Sequence, residues 1–203
     1  MALSSTKLPD QADTRTAILD IAERLVQARG FNGFSYADIA AELGISKAAL
    51  HCHFAGKAEL GETLISRYAA RFAEALAGID TGQASAFERL TAYTELYLDV
   101  LKAQRMCLCG MLAAEYQTLP EAMRRTVVAF FDVNQEWLTR LLEEGRAQRT
   151  IRFAGQAKDA AQMIVGTLEG AMLVARPYAD TARFQAATTQ LLSELDGRAA
   201  SEH

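Results

Sequence analysis

Proline, cysteine and histidine are scarce in this chain of 203 residues, three of each, and there is one tryptophan. So little proline, beside thirteen glycines, excludes a collagen-like or proline-rich chain. Three cysteines, Cys52, Cys107 and Cys109, are too few and too oddly spaced for a disulfide scaffold. The opening MALSSTKLPD lacks the basic-then-apolar pattern of a secretory leader, so a reducing, cytoplasmic setting is expected. No apolar run approaches the roughly 18 residues of a membrane span. The best attempt, Met163 to Ala175, is interrupted by Glu169. With only His51, His53 and His203, acid–base chemistry by histidine is poorly supplied. H-E-x-x-H, G-x-S-x-G, the P-loop, G-x-G-x-x-G and paired Glu-x-x-His motifs are all missing, so neither an enzyme nor a cofactor is expected. His51 and His53 stand two apart and point to different sides of a helix, which disfavours a shared metal. Positive charge is not in excess either: 21 basic against 25 acidic residues give a net −4. That balance argues against a general binder of polyanions.

What is present is helical periodicity. Apolar residues recur at three- and four-residue steps, no strand alternation is sustained, and the fold class expected is all-α. Ile18, Ile21, Leu25 and Val26 line one stripe of a helix over about 13–29, stopped by Gly30. Ser35 with Asp38 forms a capping-box pattern opening a short helix, Tyr36 to Leu43, which ends at Gly44. Ser46 caps a second, Lys47 to about His53. Longer helices are expected over about 57–77, 85–103, 118–148, 156–176 and 181–195, with a short one at 107–117. Two of these open on capping boxes, Ser85 to Glu88 and Thr118 to Glu121. Leu60, Leu64, Tyr68 and Phe72 fall on one inward stripe, and Phe130, Val133, Trp137 and Leu141 on another. Residues 1–10 and 197–203 are expected to fray.

Residues 35–54, SYADIAAELGISKAALHCHF, carry most of the functional signal. Two short capped helices meet at a tight glycine turn, and Ile39, Ala40, Leu43, Ile45, Leu50 and Phe54 are buried where they cross. This is the layout of a helix-turn-helix, whose second helix enters the DNA major groove. The spacing alone is equally served by a helical corner in a larger bundle. The stretch Gly30-Phe-Asn-Gly-Phe-Ser35, with Ile39-Ala40, Leu43-Gly44-Ile45-Ser46, Leu50, His53-Phe54, Lys57 and Leu60, resembles the N-terminal domain of TetR-family (tetracycline-repressor-type) regulators. The resemblance implies a DNA-binding domain, residues 1–56, followed by a ligand-binding and dimerisation domain, 57–203. It implies a homodimer that binds a pseudo-palindromic double-stranded DNA operator, more often as a repressor, and is released by an effector. His51 stands where the family usually carries a phosphate-reaching tyrosine, and imidazole can still donate to a phosphate.

Roles follow as expectations. Ser35 and Tyr36 start a helix whose free N–H groups can hold a phosphate. Ser46 caps the recognition helix, which exposes Lys47, Ala48, Ala49 and His51. Alanines can meet thymine methyls, and Lys47 can reach a guanine edge or a phosphate. His53 either packs or faces a phosphate. Lys57 matches the family's lysine and is expected at the DNA backbone.

In the second domain, Tyr93, Tyr97, Met111, Tyr116, Phe130 and Trp137 are candidates to line an apolar effector cavity, with Glu115 as a polar determinant. Each taken singly is equally a core residue. Cys107 and Cys109 open a short helix just after Arg105, where a helix N-terminus and a guanidinium both favour thiolate. Met106 to Glu115 is similar to the region where some TetR-type regulators sense electrophiles or oxidants, so the effector is a small molecule or an electrophile. A buried structural role is the alternative for both cysteines. The last two helices carry more apolar surface than one internal face needs, with Gly166 and Gly170 four apart, which suggests a two-fold four-helix interface. A helical protein-interaction module is the rival to DNA binding. Residues 1–60 hold six basic and seven acidic side chains, so DNA affinity must come from placement rather than net charge. Few cationic contacts imply a shallow salt dependence.

Overall fold

The computed structural model describes residues 11–82 and 84–197. Their helices are α1 (Gln11–Arg29), α2 (Tyr36–Leu43), α3 (Lys47–His53), α4 (Lys57–Asp80), α5 (Ala86–Lys102), α6 (Leu108–Ala114), α7 (Glu121–Ala147), α8 (Ala157–Ala175) and α9 (Thr181–Leu195), with short 3₁₀ turns at Tyr116–Thr118 and Arg176–Tyr178. Among the described residues the only strand-like pairing is one bridge, Ile151 to Asp196. The all-α expectation holds. The expected fraying lies outside the described residues except at Gly197, whose N–H donates to Thr150 O at 3.2 Å. No helix among the described residues is long and apolar enough to cross a membrane.

Local chemistry sets the boundaries. At Ser35 the capping box closes both ways: Ala37 N donates to Ser35 Oγ at 3.2 Å and Ser35 N to Asp38 Oδ2 at 2.7 Å. These bonds to Ser35 hold the Asp38 carboxyl below its ordinary value. Gly44 ends α2 at φ +67°, a conformation only glycine adopts freely. Ser46 caps α3 by accepting from Ala49 N at 3.1 Å, and the Ser85–Glu88 box opens α5. The Thr118–Glu121 box does not form. Pro120 is the residue before α7, so Glu121 stands at its first position rather than its third. Thr118 Oγ1 donates instead to Glu115 O at 2.8 Å. α4 continues through Gly78 to Asp80, whose carboxylate accepts from Trp137 Nε1 at 2.8 Å.

Ile18, Leu25, Val26, Phe31, Phe34, Ile39, Ala40, Leu50 and Phe54 bury one side of the first three helices. α4 then runs from that cluster into the larger body, where it packs on α7. At the junction a Cβ on Gly61 would stand 2.6 Å from Met123 Sδ and 2.9 Å from Phe31, so only glycine lets the three elements close. Val133 does not face inward as its periodicity suggested; it is half exposed, because Phe130, Asn134, Trp137 and Leu141 define the buried stripe of α7.

A second tie is ionic. Buried Glu23 on α1 accepts from Arg67 at 3.0 Å and Arg71 at 2.5 Å, both on α4. Replacing Glu23 with Gln is expected to cost about 2 kcal/mol, below the usual loss for a broken buried pair because Arg71 is half in solvent. Urea unfolding monitored by circular dichroism measures it; an unchanged midpoint would show the cluster to be ornamental.

Candidate nucleic-acid interface and effector core

The start of α2 and the outer face of α3 lie side by side. Phe34, Ser35, Tyr36, Ala37, Lys47, His51 and Lys57 line an open concavity of about 450 Å³. Ser46, Lys47, Ala48 and His51 are exposed, and Ala49 and His53 are half-buried. Tyr36 does more than begin a helix. Its hydroxyl donates to Phe54 O at 3.2 Å and its ring lies 4.8 Å from that of His51. Burial, then Glu59, push its phenol up to about 12, so it stays a neutral donor. His51 Nδ1 lies 3.2 Å from Ala55 O, which orients the ring and leaves Nε2 to point away. His53 is tied through its carbonyl, which accepts from Arg15 at 2.6 Å, while the Arg15 guanidinium covers Phe54. Cys52 is exposed, with its thiol on Ala48 O, and takes no part in the concavity.

Lys57 corrects the expectation of a simple backbone contact. Its ammonium turns inward, donating to Phe31 O and Phe34 O and sitting over both rings at 4.6 and 4.1 Å. Burial lowers its pKa, against the opposing pull of Glu115 and Asp38. Two of its three protons are spent on the chain, because the turn at 31–34 has carbonyls that need donors.

The aromatic candidates divide. Tyr93, Tyr97 and Phe130 meet in one buried cluster, with Trp137 stacked on Tyr93 at 5.4 Å and 24°. Tyr68 and Phe72 of α4 join them, both against Phe130. Tyr93 Oη lies 3.1 Å from Tyr97 Oη and donates to Asn134 Oδ1 at 3.1 Å. Asn134, which the sequence reading passed over, is fixed by donating to Phe130 O at 2.9 Å. Met111, Glu115 and Tyr116 are not in this cluster. Met111 Sδ accepts from Arg176 at 3.3 Å, and Tyr116 lies beneath Arg124. Glu115 faces the DNA-binding domain: its carboxylate accepts from Phe31 N at 2.5 Å and Asn32 N at 3.2 Å. It caps the turn after α1 because that turn leaves donors that no helix uses.

The cysteines overturn the thiolate expectation. Cys107 caps α6, accepting from Gly110 N at 3.5 Å, and Cys107 and Cys109 are both buried. Burial first, then the nearby Glu169, push the Cys107 thiol well up, and Cys109 likewise. The expected guanidinium is elsewhere: Arg105 opens on a concavity with Asp20, Glu23, Arg24 and Arg71. Desolvation outweighs one turn of helix. Glu169 was passed over as a site residue, although it is the one charge in an apolar stretch. Its stem is half-exposed on α8, but its carboxyl is buried and pushed up to about 7. Such a group binds its proton more tightly folded than unfolded, so it lowers stability as pH rises from about 4.5 through 7. Among the described residues no group of three or more His, Cys, Asp or Glu is placed to hold a metal.

Two capped helices crossing at a glycine turn, the second exposing a reading face, ahead of a larger helical body, define the class of helix-turn-helix DNA-binding regulators. A sequence model of the bacterial regulatory proteins of the tetR family matches residues 18–64, and one of the tetracyclin repressor-like C-terminal domain matches 86–191. A TetR-family transcriptional regulator from Agrobacterium tumefaciens is 33% identical, covering 92% of this chain and 100% of its own, with a TM-score of 0.89. A TetR regulator from Legionella pneumophila is 28% identical over 94% of this chain and all of its own, with a TM-score of 0.82. The HTH-type transcriptional repressor NemR of Escherichia coli is 27% identical over 175 residues, 81% of this chain and 84% of its own. The chain belongs to the TetR family of transcriptional regulators, which are not enzymes.

Proposed function

We propose that the protein is a cytoplasmic repressor, built of a DNA-binding domain at 1–56 and an effector and dimerisation domain at 57–203. As a homodimer it binds a pseudo-palindromic operator, and an effector that occupies or modifies the core around Tyr93, Tyr97, Phe130 and Cys107 releases it. The observation that carries the reading is the juxtaposition of exposed Lys47, Ala48 and His51 with the capped start of α2 at Ser35. A helix N-terminus beside a basic reading face suits phosphate and base edge together. NemR, a relative, is a transcriptional repressor, which favours repression. Apolar, exposed Met163, Leu173 and Val174 share one face of α8 with Gly166 and Gly170, which favours pairing between copies. Release follows if the effector binds better to a DNA-incompetent arrangement.

Footprinting on the DNA upstream of the protein's own gene tests this. A protected two-fold site is expected, and Lys47→Ala or His51→Ala should each weaken it about tenfold without altering dimerisation. The salt slope should be shallow, roughly −3 to −5, since each neutralised phosphate contributes about −0.9. No protection, or unchanged affinity in both variants, would defeat this placement of the reading face.

A further inference from the structure

The imidazole of His51 is held in one tautomer. Its Nδ1 lies 3.2 Å from Ala55 O, and a carbonyl oxygen only accepts, so Nδ1 carries the proton. The acceptor is fixed from two sides. Tyr36 Oη donates to the neighbouring Phe54 O at 3.2 Å, and Ala55 N donates to Glu59 Oε2 at 2.8 Å. The Tyr36 ring, 4.8 Å away and tilted by 52°, restricts rotation of the imidazole. In the neutral ring Nε2 therefore has a lone pair and no hydrogen. No hydrogen bond among the described residues engages Nε2, and the exposed ring lines the concavity with Ser35, Ala37, Lys47 and Lys57. Facing a phosphate oxygen, a bare Nε2 sets acceptor against acceptor.

The charges around the ring do not change this. From α2 it meets the neutral Tyr36 phenol, while the Asp38 carboxylate is bonded to Ser35 N. On α3 it shares the concavity with the Lys47 ammonium. From α4 come Lys57, bound by Phe31 O and Phe34 O, and Glu59, taken by Ala55 N. Arg15 of α1 is turned to His53 O and Phe54. Two ammonium groups thus stand by the ring, and both carboxylates are already bonded to backbone N–H groups. An anion from outside the chain is what a charged imidazole there lacks.

We propose that His51 binds an operator phosphate as the imidazolium, so that each half-site takes up one proton together with the DNA. The inference rests on the reading-face placement above and names the chemical form in which that face acts. The proton comes from solvent and adds to Nε2, which then donates to a phosphate oxygen. Nδ1 keeps its bond to Ala55 O, so no bond within the protein is lost. The new bond is charge-assisted, and the phosphate supplies the missing anion. A hydroxyl at this position would donate while neutral and bring no proton linkage. Histidine instead makes operator affinity rise as pH falls, and Tyr36 is a positioning residue that keeps the tautomer by bracing the 54–55 turn.

Two measurements on the full chain test it. With histidine labelled by nitrogen-15, the free protein at about pH 8 should show the His51 proton on Nδ1 by NMR, its signal assigned by its loss in His51→Gln. A proton on Nε2 would overturn the proposal before any DNA is added. Operator affinity is then followed from about pH 6 to 8.5 at constant ionic strength, on the duplex protected in footprinting. The parent is expected to lose affinity by about tenfold per half-site across that range. Calorimetry in two buffers of different ionisation heat should record proton uptake on binding. His51→Gln and His51→Tyr, which donate without titrating there, should lose most of the dependence, and His51→Tyr should bind more tightly than the parent at the alkaline end. The parent's slope persisting in both variants, or binding without proton uptake, would overturn the proposal. If a variant fails to fold by circular dichroism, the parent's calorimetry decides. The underlying reading fails separately. Should His51→Ala weaken binding while the parent's profile is flat, the reading face stands and the proton linkage falls. Should His51→Ala match the parent at every pH, the reading face itself is misplaced, and the linkage falls with it.

Discussion

A Gly170→Arg protein is expected to keep its helical content, run as a monomer at micromolar concentration, and lose operator affinity by at least about 100-fold. Gly170 lies on the exposed face of α8, and a Cβ added there meets nothing within 4 Å of its own chain. Within one protomer the substitution therefore removes a poor helix former, a gain of up to about 1 kcal/mol. Against a second copy it places a long charged side chain in the stripe of Met163, Gly166, Leu173 and Val174. A close helix approach cannot accommodate it, and burying an unpaired guanidinium costs far more than the helix gains. Two recognition helices held as a unit reach two half-sites with one association; separated, each binds alone. Sedimentation and mobility shift check the outcome. The melting temperature should also lose the concentration dependence shown by an associating parent. A dimer that survives the change would move the interface off this face.

Gly30→Val is expected to lower stability by about 3 kcal/mol, a melting temperature drop of roughly 6–12 °C for a chain of this size. Gly30 closes α1 at φ +82°, where a β-branched residue is strained by about 1–2 kcal/mol. A Cβ there would also stand 2.6 Å from Glu115 Oε1. That carboxylate must then move, leaving the buried Phe31 N–H without its acceptor at about 1–3 kcal/mol, while the exposed Asn32 N–H turns to water. The same contact joins the end of α6 to the turn that leads into α2. Operator affinity should therefore fall beyond what the unfolded fraction explains. Glu115→Gln, which keeps the shape and one acceptor oxygen, should cost about 1 kcal/mol. A melting temperature within about 2 °C of the parent in Gly30→Val would refute the clamp.

Most of the architecture was legible in the sequence, because it depends on neighbours in the chain. The boundaries of α2, α3 and α9 fall where caps, glycine and periodicity put them. The same local reasoning failed at Thr118, where proline took the capping position, and at Val133, where periodicity could not separate two adjacent stripes. Within the candidate sites the failures share one cause. Lys57, Glu115 and Met111 are polar or flexible side chains whose partners lie in distant segments. Phe31 O and N, which Lys57 and Glu115 serve, and the Arg176 guanidinium that meets Met111 carry no mark of these pairings in the sequence.

Composition argued only against a general binder of polyanions, and the chain is a DNA-binding regulator; the spacing of the short capped helices around Gly44 suited a helical corner equally, and the family pattern around them decided between the two. The sequence by itself determined the all-α class and the two short capped helices that cross at Gly44, since each follows from spacing and backbone chemistry within a few turns; of the outer face it placed Lys47, Ala48 and His51 correctly but not the half-buried Ala49. Tertiary structure alone decided the state of the titratable groups. Cys107 stands at a helix N-terminus, which favours thiolate, yet burial and the carboxyl from α8 keep it a thiol. Desolvation depends on everything packed around an atom, and 62 residues of chain separate that sulfur from the carboxyl it meets.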